Sequence, residues 1–261
     1  MNVIKKYIYI YIYIYIYIYI SPLVIFSNRS IKRPTMPVKW LMHWQPNSGA
    51  TMSSQILAEV CQCVEGFGSA AKEGRWRTTL TIYRPVARDP SSTATSAPVP
   101  MPGDLPRDFL GLTLHDRPGA YFFILRHHRL ILQADANVQS LMDKLQSYKA
   151  RVVLHFEGFQ YQLGDFMLRV GKCVQSHADT LRGIMMEVEY LPLSSIDKSR
   201  QIMEDFLDIW QDAVIKKSLP GQFINVELNF ADYGLQDQYT PQHTALQYAT
   251  CIVQLMATVR S

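Results

Sequence analysis

The stretch from Ala150 to Leu193 limits the possible folds more than any other part of the chain. Val152, Leu154 and Phe156 alternate with Arg151, His155 and Glu157. Further on, Phe166, Leu168 and Val170 share one face and Arg169 takes the other. Last come Ile184, Met186, Val188 and Tyr190, set against Met185, Glu187 and Glu189. Alternation with a period of two residues is the mark of a half-buried strand, so the stretch predicts three of them. The links, Gly158 to Asp165 and Gln175 to Arg182, are short and polar or glycine-containing. A parallel crossover needs about a dozen residues or more, so the strands are expected to run antiparallel. The result is a meander with one dry face and one wet face, and Glu187 and Glu189 are expected on the wet one.

The chain outside this stretch supplies further strands and helices. Val38 to Gln45 reads as a strand with Trp40 and Trp44 on one face. Thr51 to Glu65 has the helical spacing Ile56, Val60, Val64 and ends at Gly66. Trp76 to Tyr83 is rich in β-branched and aromatic residues and reads as a strand. Tyr121 to Arg126 and Arg129 to Ala134 predict a hairpin around His127 and His128. A helix is expected over Val138–Lys149, capped by Asn137, and another from a Ser194/Asp197 capping box to about Lys217. Phe223 to Phe230 reads as a strand, and Thr240-Pro241 opens a terminal helix. About seven antiparallel strands in one sheet would curl. The fold class expected is therefore α+β, a single antiparallel β-barrel-like sheet with flanking helices.

Two segments differ in composition from the rest. Pro85 to Pro106 carries six prolines and a Ser/Thr/Ala run, which predicts a flexible loop within one domain. Tyr7 to Ile20 alternates Tyr and Ile without a break and continues apolar to Phe26. This leader is long enough for a membrane anchor. It lacks an evident signal-peptide cleavage site. Alternating Tyr-Ile is also what a TA dinucleotide repeat encodes, and the reading preferred here is a gene model that starts too early, with Met36 opening the functional sequence. Residues 1–35 hold Lys5, Lys6, Arg29, Lys32 and Arg33 and no acid. Without them, 21 bases face 22 acids, so the net charge of +4 becomes −1. The body gives no electrostatic reason to expect direct nucleic-acid binding or a membrane role. The domain division expected is 1–35 as leader and 36–261 as one domain.

Candidate chemistry is sparse. Cys61, Cys63, Cys173 and Cys251 match no zinc spacing and are expected to be free thiols. No phosphate-binding glycine loop or hydrolase motif is present. His155, His177 and His243 are scattered. The pair Glu187 and Glu189 is the sharpest candidate, since residues i and i+2 of a strand share a face. Two carboxylates facing inward opposite a base such as Arg169 could grip a metal-triphosphate, which defines a metal-dependent phosphohydrolase as the alternative reading. Such a site would want more acids on neighbouring strands, and Glu157 is the only one on the strand before. No catalytic residue, metal ligand or cofactor is therefore assigned.

Several runs carry a family likeness. They are Met36-Pro-Val-Lys-Trp-Leu-Met-His-Trp-Gln-Pro46, Lys72-Glu-Gly-Arg-Trp76, Leu145-Gln-Ser-Tyr-Lys149, Phe156-Glu-Gly-Phe-Gln-Tyr-Gln-Leu-Gly-Asp-Phe166, Leu181-Arg-Gly183, Met186-Glu-Val-Glu-Tyr-Leu-Pro192 and Tyr239-Thr-Pro-Gln-His-Thr244. From Met36 onward the chain resembles the Mediator complex subunit 20 family, also called the TATA-binding-protein-related-factor-like subunit, in its plant form. The resemblance implies a nuclear, non-enzymatic subunit of the Mediator head module, a coactivator that bridges regulators to RNA polymerase II. It implies pairing with subunit 18, a barrel of related fold, and docking through a subunit 8 C-terminal tail. It also implies an antiparallel barrel with the shape of the tunnel triphosphatases, though shape alone does not transfer activity. Tyr121–Leu125 and the terminal helix are the candidate partner faces.

Overall fold

The computed structural model describes residues 36–68, 70–86 and 108–258. The Tyr/Ile leader lies outside these residues, and so does the proline-rich segment apart from Pro85 and Val86. Nine strands form one antiparallel sheet. They are β1 (Val38–Pro46), β2 (Ala71–Pro85), β3 (Phe109–Leu114), β4 (Arg117–Leu125), β5 (Leu130–Asp135), β6 (Tyr148–Leu163), β7 (Phe166–Gln175), β8 (Ala178–Tyr190) and β9 (Gly221–Asn225). The sheet order is β5-β4-β3-β2-β6-β7-β8-β1-β9. Among the described residues four α-helices pack on it: α1 (Ser54–Glu65), α2 (Val138–Leu145), α3 (Ile196–Lys216) and α4 (Pro241–Thr258).

The α+β expectation and the meander β6–β7–β8 are found. The links within the meander are shorter than expected. Gly164 and Asp165 alone join β6 to β7, with Leu163 opposite Phe166. Gly164 takes φ of +57°, a left-handed value that glycine adopts without strain. The predicted link missed this because Gln160 and Gln162 read as loop, whereas they are the polar phase of a continuing strand. The second link is likewise only Ser176 and His177. Asn137 makes no side-chain cap, and α2 stops at Leu145 because Tyr148 and Lys149 already pair with β2. Ser195, not Ser194, caps α3, and the cap includes a remote residue. Asp237 accepts from the Ser195 hydroxyl at 2.6 Å and from the Asp197 amide at 2.8 Å.

The wet-face expectation is wrong. Both faces of the meander are covered. On the outer face, α1 and α3 lay Ile56, Val60, Met203, Phe206 and Trp210 against Leu168, Val170, Met186, Val188 and Trp44. On the inner face, α4 sits inside the curled sheet, where Leu246, Tyr248, Ile252 and Leu255 meet Leu112, Phe122, Leu154, Phe156 and Met185. An α-helix is apolar on most sides only when it is surrounded, and α4 is buried from Ala245 through Ala249 without a break. The terminal helix is therefore core and not a partner face.

Gly158 and Gly171 stand opposite each other on the inner face. A Cβ at Gly158 would lie 2.0 Å from the Val170 carbonyl oxygen, and one at Gly171 would press on the Trp76 ring at 3.0 Å. The Phe156–Phe166 run thus needs its first glycine for close approach of backbones and its second for a turn.

The sheet curls without closing, and side chains guard one of its ends. β9 covers only Met42–Pro46 of β1. Ahead of that point the amide of Gln247, on α4, takes the place of a strand. Its Oε1 accepts from the Leu41 N–H at 2.8 Å, and its Nε2 donates to the Lys39 carbonyl at 2.9 Å. Gln211 on α3 likewise donates to the Phe223 carbonyl of β9 at 3.2 Å. Replacing Gln247 by leucine leaves two buried backbone groups unpaired, at about 1–3 kcal/mol each. Gln247→Leu is therefore expected to lower the unfolding free energy by about 2–6 kcal/mol in urea denaturation, whereas an effect below about 0.5 kcal/mol would show that the amide does not seal this edge.

Candidate functional site

The inward-facing residues at one end of the sheet are charged. In the register Lys39↔Glu189 and Leu41↔Glu187, β1 brings its lysine beside the two glutamates of β8. On the other side of β8, Arg169 of β7 stands directly opposite Glu187. Asp116 reaches the same place from the β3–β4 turn. Lys39 Nζ lies 2.7 Å from Asp116, 3.2 Å from Glu187 and 3.5 Å from Glu189. Arg169 pairs with Glu187 and, at 2.7 Å, with Glu189. Its Nε donates to Gln160 at 2.8 Å. Tyr248 of α4 donates its hydroxyl to Glu187 Oε2 at 2.8 Å.

Lys39, Arg169, Glu187 and Glu189 are all buried, at 2 %, 7 %, 3 % and 7 % exposure. Such burial fixes the sign of each effect. For Glu187, burial pushes the pKa up. Lys39, Arg169 and the Tyr248 hydrogen bond outweigh that and hold it at about 2. For Lys39, burial pulls the pKa down, yet Glu187, Asp116 and Glu189 raise it overall. Burial raises Tyr248 well above the ordinary phenol value, and the nearby Glu187 charge adds to this, so the hydroxyl stays a donor. Two cations and three carboxylates thus leave the cluster with one net negative charge when all are ionised.

The alternative phosphohydrolase reading can be tested on this geometry. Glu187 and Glu189 do face inward, opposite Arg169, as that reading requires. The cavity beside them, lined by Lys39, Trp76, Thr78, Asp116, Arg169, Glu187 and Tyr248 among others, is about 10 Å³. That is about the space of one water molecule and too small for a phosphate chain. Both Glu187 oxygens are already engaged, Oε1 by Lys39 and Arg169 and Oε2 by Tyr248. Metal and substrate would first have to displace every one of these partners. Chemically, the arrangement cross-links β1, β7, β8, α4 and the β3–β4 turn.

The other candidates do not converge. His243 is a helix cap: its Nδ1 accepts from the Thr240 amide at 3.1 Å and its Nε2 faces the Gln236 carbonyl at 2.9 Å. His155 lies on the outer face of β6 beside Thr79. His177 is in the β7–β8 turn, and Glu157 forms long pairs with Arg77 and Lys172 at 3.8 and 3.6 Å. All four cysteines are free, and three are buried. His127 and His128 sit exposed in a 3₁₀ turn at the predicted hairpin tip.

Sequence reasoning missed Lys39, Asp116, Gln247 and Tyr248. Lys39 was the readable signal, because it is a full charge set among Val38, Trp40, Leu41 and Met42 in a mostly apolar strand. A charge in that setting needs a buried partner of opposite sign.

The fold and the cluster together describe an α+β protein with one curled antiparallel sheet, wrapped round a helix and internally cross-linked by charge. Comparison with known proteins then places it. Residues 36–253 match the family model described as TATA-binding related factor (TRF) of subunit 20 of Mediator complex. Mediator of RNA polymerase II transcription subunit 20b of Arabidopsis thaliana is 50% identical over 226 residues, 87% of this chain and 99% of that protein. Mediator of RNA polymerase II transcription subunit 20 of Aedes aegypti is 25% identical over 141 residues, 51% of this chain and 63% of that protein. Among solved structures, a Pyrococcus horikoshii OT3 protein aligns over 72% of this chain and 93% of its own with a TM-score of 0.37 and 11% identity. The chain belongs to the Mediator subunit 20 family.

Breaking the cluster by removing one partner strands a buried charge, which costs about 3–5 kcal/mol. The linkage with pH has a definite sign. The Glu187 carboxyl has its pKa depressed from 4.5 to about 2, so its contribution is present above 4.5 and is lost as pH falls toward 2. Lys39, raised above 10.5, contributes fully below that value and loses its share as pH rises beyond it. Denaturant titrations of Glu187→Gln are expected to show lower stability at neutral pH and a shallower loss between pH 4.5 and 2 than the unsubstituted protein. Parallel acid limbs would mean that Glu187 titrates alike in the folded and unfolded chains.

Proposed function

We propose that this chain is a non-enzymatic structural subunit of Mediator, acting in the nucleus in transcription by RNA polymerase II. The observation that carries the reading is the family match over residues 36–253, together with 50% identity across 99% of the Arabidopsis subunit. The interior supports it. The buried charged constellation is engaged within the fold, so those groups serve cohesion. The binding body is assigned to residues 36–261. Its direct partners are proposed to be Mediator subunit 18, as a heterodimer, and the subunit 8 C-terminal tail. Contact with RNA polymerase II comes through the assembled complex, with no direct role for nucleic acid, membrane or cofactor.

The test is co-expression of the chain with subunit 18 and subunit 8 from the same source, followed by affinity capture and size-exclusion chromatography. The expected outcome is one co-eluting complex that survives moderate salt, since an obligate interface rests mainly on apolar burial. Elution of the chain alone, with subunit 18 folded and present, would remove the heterodimer reading.

A further inference from the structure

The two ends of the sheet are treated differently. At the β9 end, Gln247 and Gln211 satisfy backbone groups that a missing strand would otherwise take. At the β5 end, among the described residues, no such side-chain guard is present. β5 pairs with β4 along Leu130–Asp135 and is the last strand in the order. Among the described residues, no backbone group of Leu130–Asp135 bonds to anything beyond β4. Its sequence, Leu-Ile-Leu-Gln-Ala-Asp, has none of the prolines or lysines by which soluble proteins blunt an edge.

The surface beside this edge is apolar. Opposite residues in the ladder point the same way, so Leu130 and Leu125, Leu132 and Phe123, and Ala134 and Tyr121 line the outer face. Leu130 is 42 % exposed. Phe123, Leu125, Leu132 and Ala134 are half-buried. The outer core under α1 and α3 contains no residue of β3, β4 or β5. The charge is also polarised. Arg126, His127, His128 and Arg129 cluster where β5 begins; among the described residues Arg129 alone of the four is ion-paired, with Asp232 at 3.3 Å, and the exposed Asp135 stands where β5 ends.

We propose that β5 is a strand-augmentation site, where an extended partner segment adds as a tenth strand with apolar side chains at alternate positions and a carboxylate beside Arg126–His128. An unpaired ladder calls for main-chain donors and acceptors at strand spacing, which a helix does not offer. The Leu130–Phe123 face takes the alternate apolar side chains, and the basic turn sets the direction of the incoming strand. This deepens the assembly reading and rests on it. It also gives Tyr121–Leu125 an indirect part, since β4 supplies the floor of the surface while its own edges are both occupied.

The experiment is hydrogen–deuterium exchange of the full chain, free and in the reconstituted Mediator complex, with two double variants alongside. Assembly is expected to slow exchange of the β5 amides by about tenfold or more. Leu130→Lys with Leu132→Lys is expected to weaken incorporation about tenfold or more while the melting temperature of the free chain is kept. Ile209→Lys with Ile215→Lys, on the exposed face of α3, is expected to leave incorporation unchanged. A complex that forms with unaltered β5 exchange, or that tolerates the β5 substitutions, overturns this proposal and leaves the assembly reading standing. Failure of the unsubstituted chain to assemble overturns both. A dimer of the free chain that the β5 substitutions abolish overturns the partner named here in favour of a second copy.

Discussion

The structure depends on an ion pair between parts of the sheet that lie far apart in the strand order. Lys39 on β1 and Asp116 after β3 are separated by five strand-to-strand steps. In a flat sheet that is about 24 Å at the usual strand spacing. The observed 2.7 Å contact requires the sheet to curl until its inner surface meets itself. Lys39 cannot be buried there alone, and the carboxylates of Glu187 and Glu189 cannot be buried without Lys39 and Arg169. The cluster thus ties strand register to curvature. Slipping β1 by one residue would turn Lys39 outward into the apolar contacts of Trp40 and Trp44 and bring Trp40 inward among the glutamates.

A buried cluster of this kind does little for net stability, because desolvation offsets most of the attraction. What it does is forbid alternatives, since each wrong pairing leaves an unpaired charge inside. The helix α4 completes the arrangement by serving two purposes with adjacent residues. Gln247 seals the edge of β1, and Tyr248 donates to Glu187. Tyr239 accepts from Gln247 and pairs with Thr244, so the segment before α4 is held in the same network. With α4 inside the curled sheet, the cavity left beside the charged cluster is only about 10 Å³. The protein's means of interaction with other molecules lie outside, on faces and edges.

The sequence made the strands easier to read than their faces. Alternation located β7 and β8 and put Leu168, Val170, Met186 and Val188 together correctly. Alternation reports that two faces differ, and it is silent on whether the polar face meets water or other polar groups. Glu187 and Glu189 were assigned to water for that reason. The missing information is non-local: Lys39 lies 148 residues from Glu187, and Tyr248 lies 61 from it. β3 was missed because Phe109–Leu114 is short, contains Gly111 and follows the proline-rich segment. Gly111 is needed there, since a Cβ would fall 2.2 Å from the Tyr121 hydroxyl. The α3 cap was misread by one residue because its second half, Asp237, comes some 40 residues later. The family runs, in contrast, were legible throughout, because glycines, turns and inward charges all constrain sequence at fixed positions.

The central proposal is that the inward charges fix the register and curvature of the sheet and serve no catalytic purpose. The most direct measurement is phosphate release from a nucleoside triphosphate and from inorganic triphosphate, with Mg²⁺ or Mn²⁺, by the purified chain. The account predicts rates equal to the protein-free blank at every metal concentration. Metal-dependent turnover that disappears in Glu187→Gln, under conditions where that variant remains folded, would contradict it.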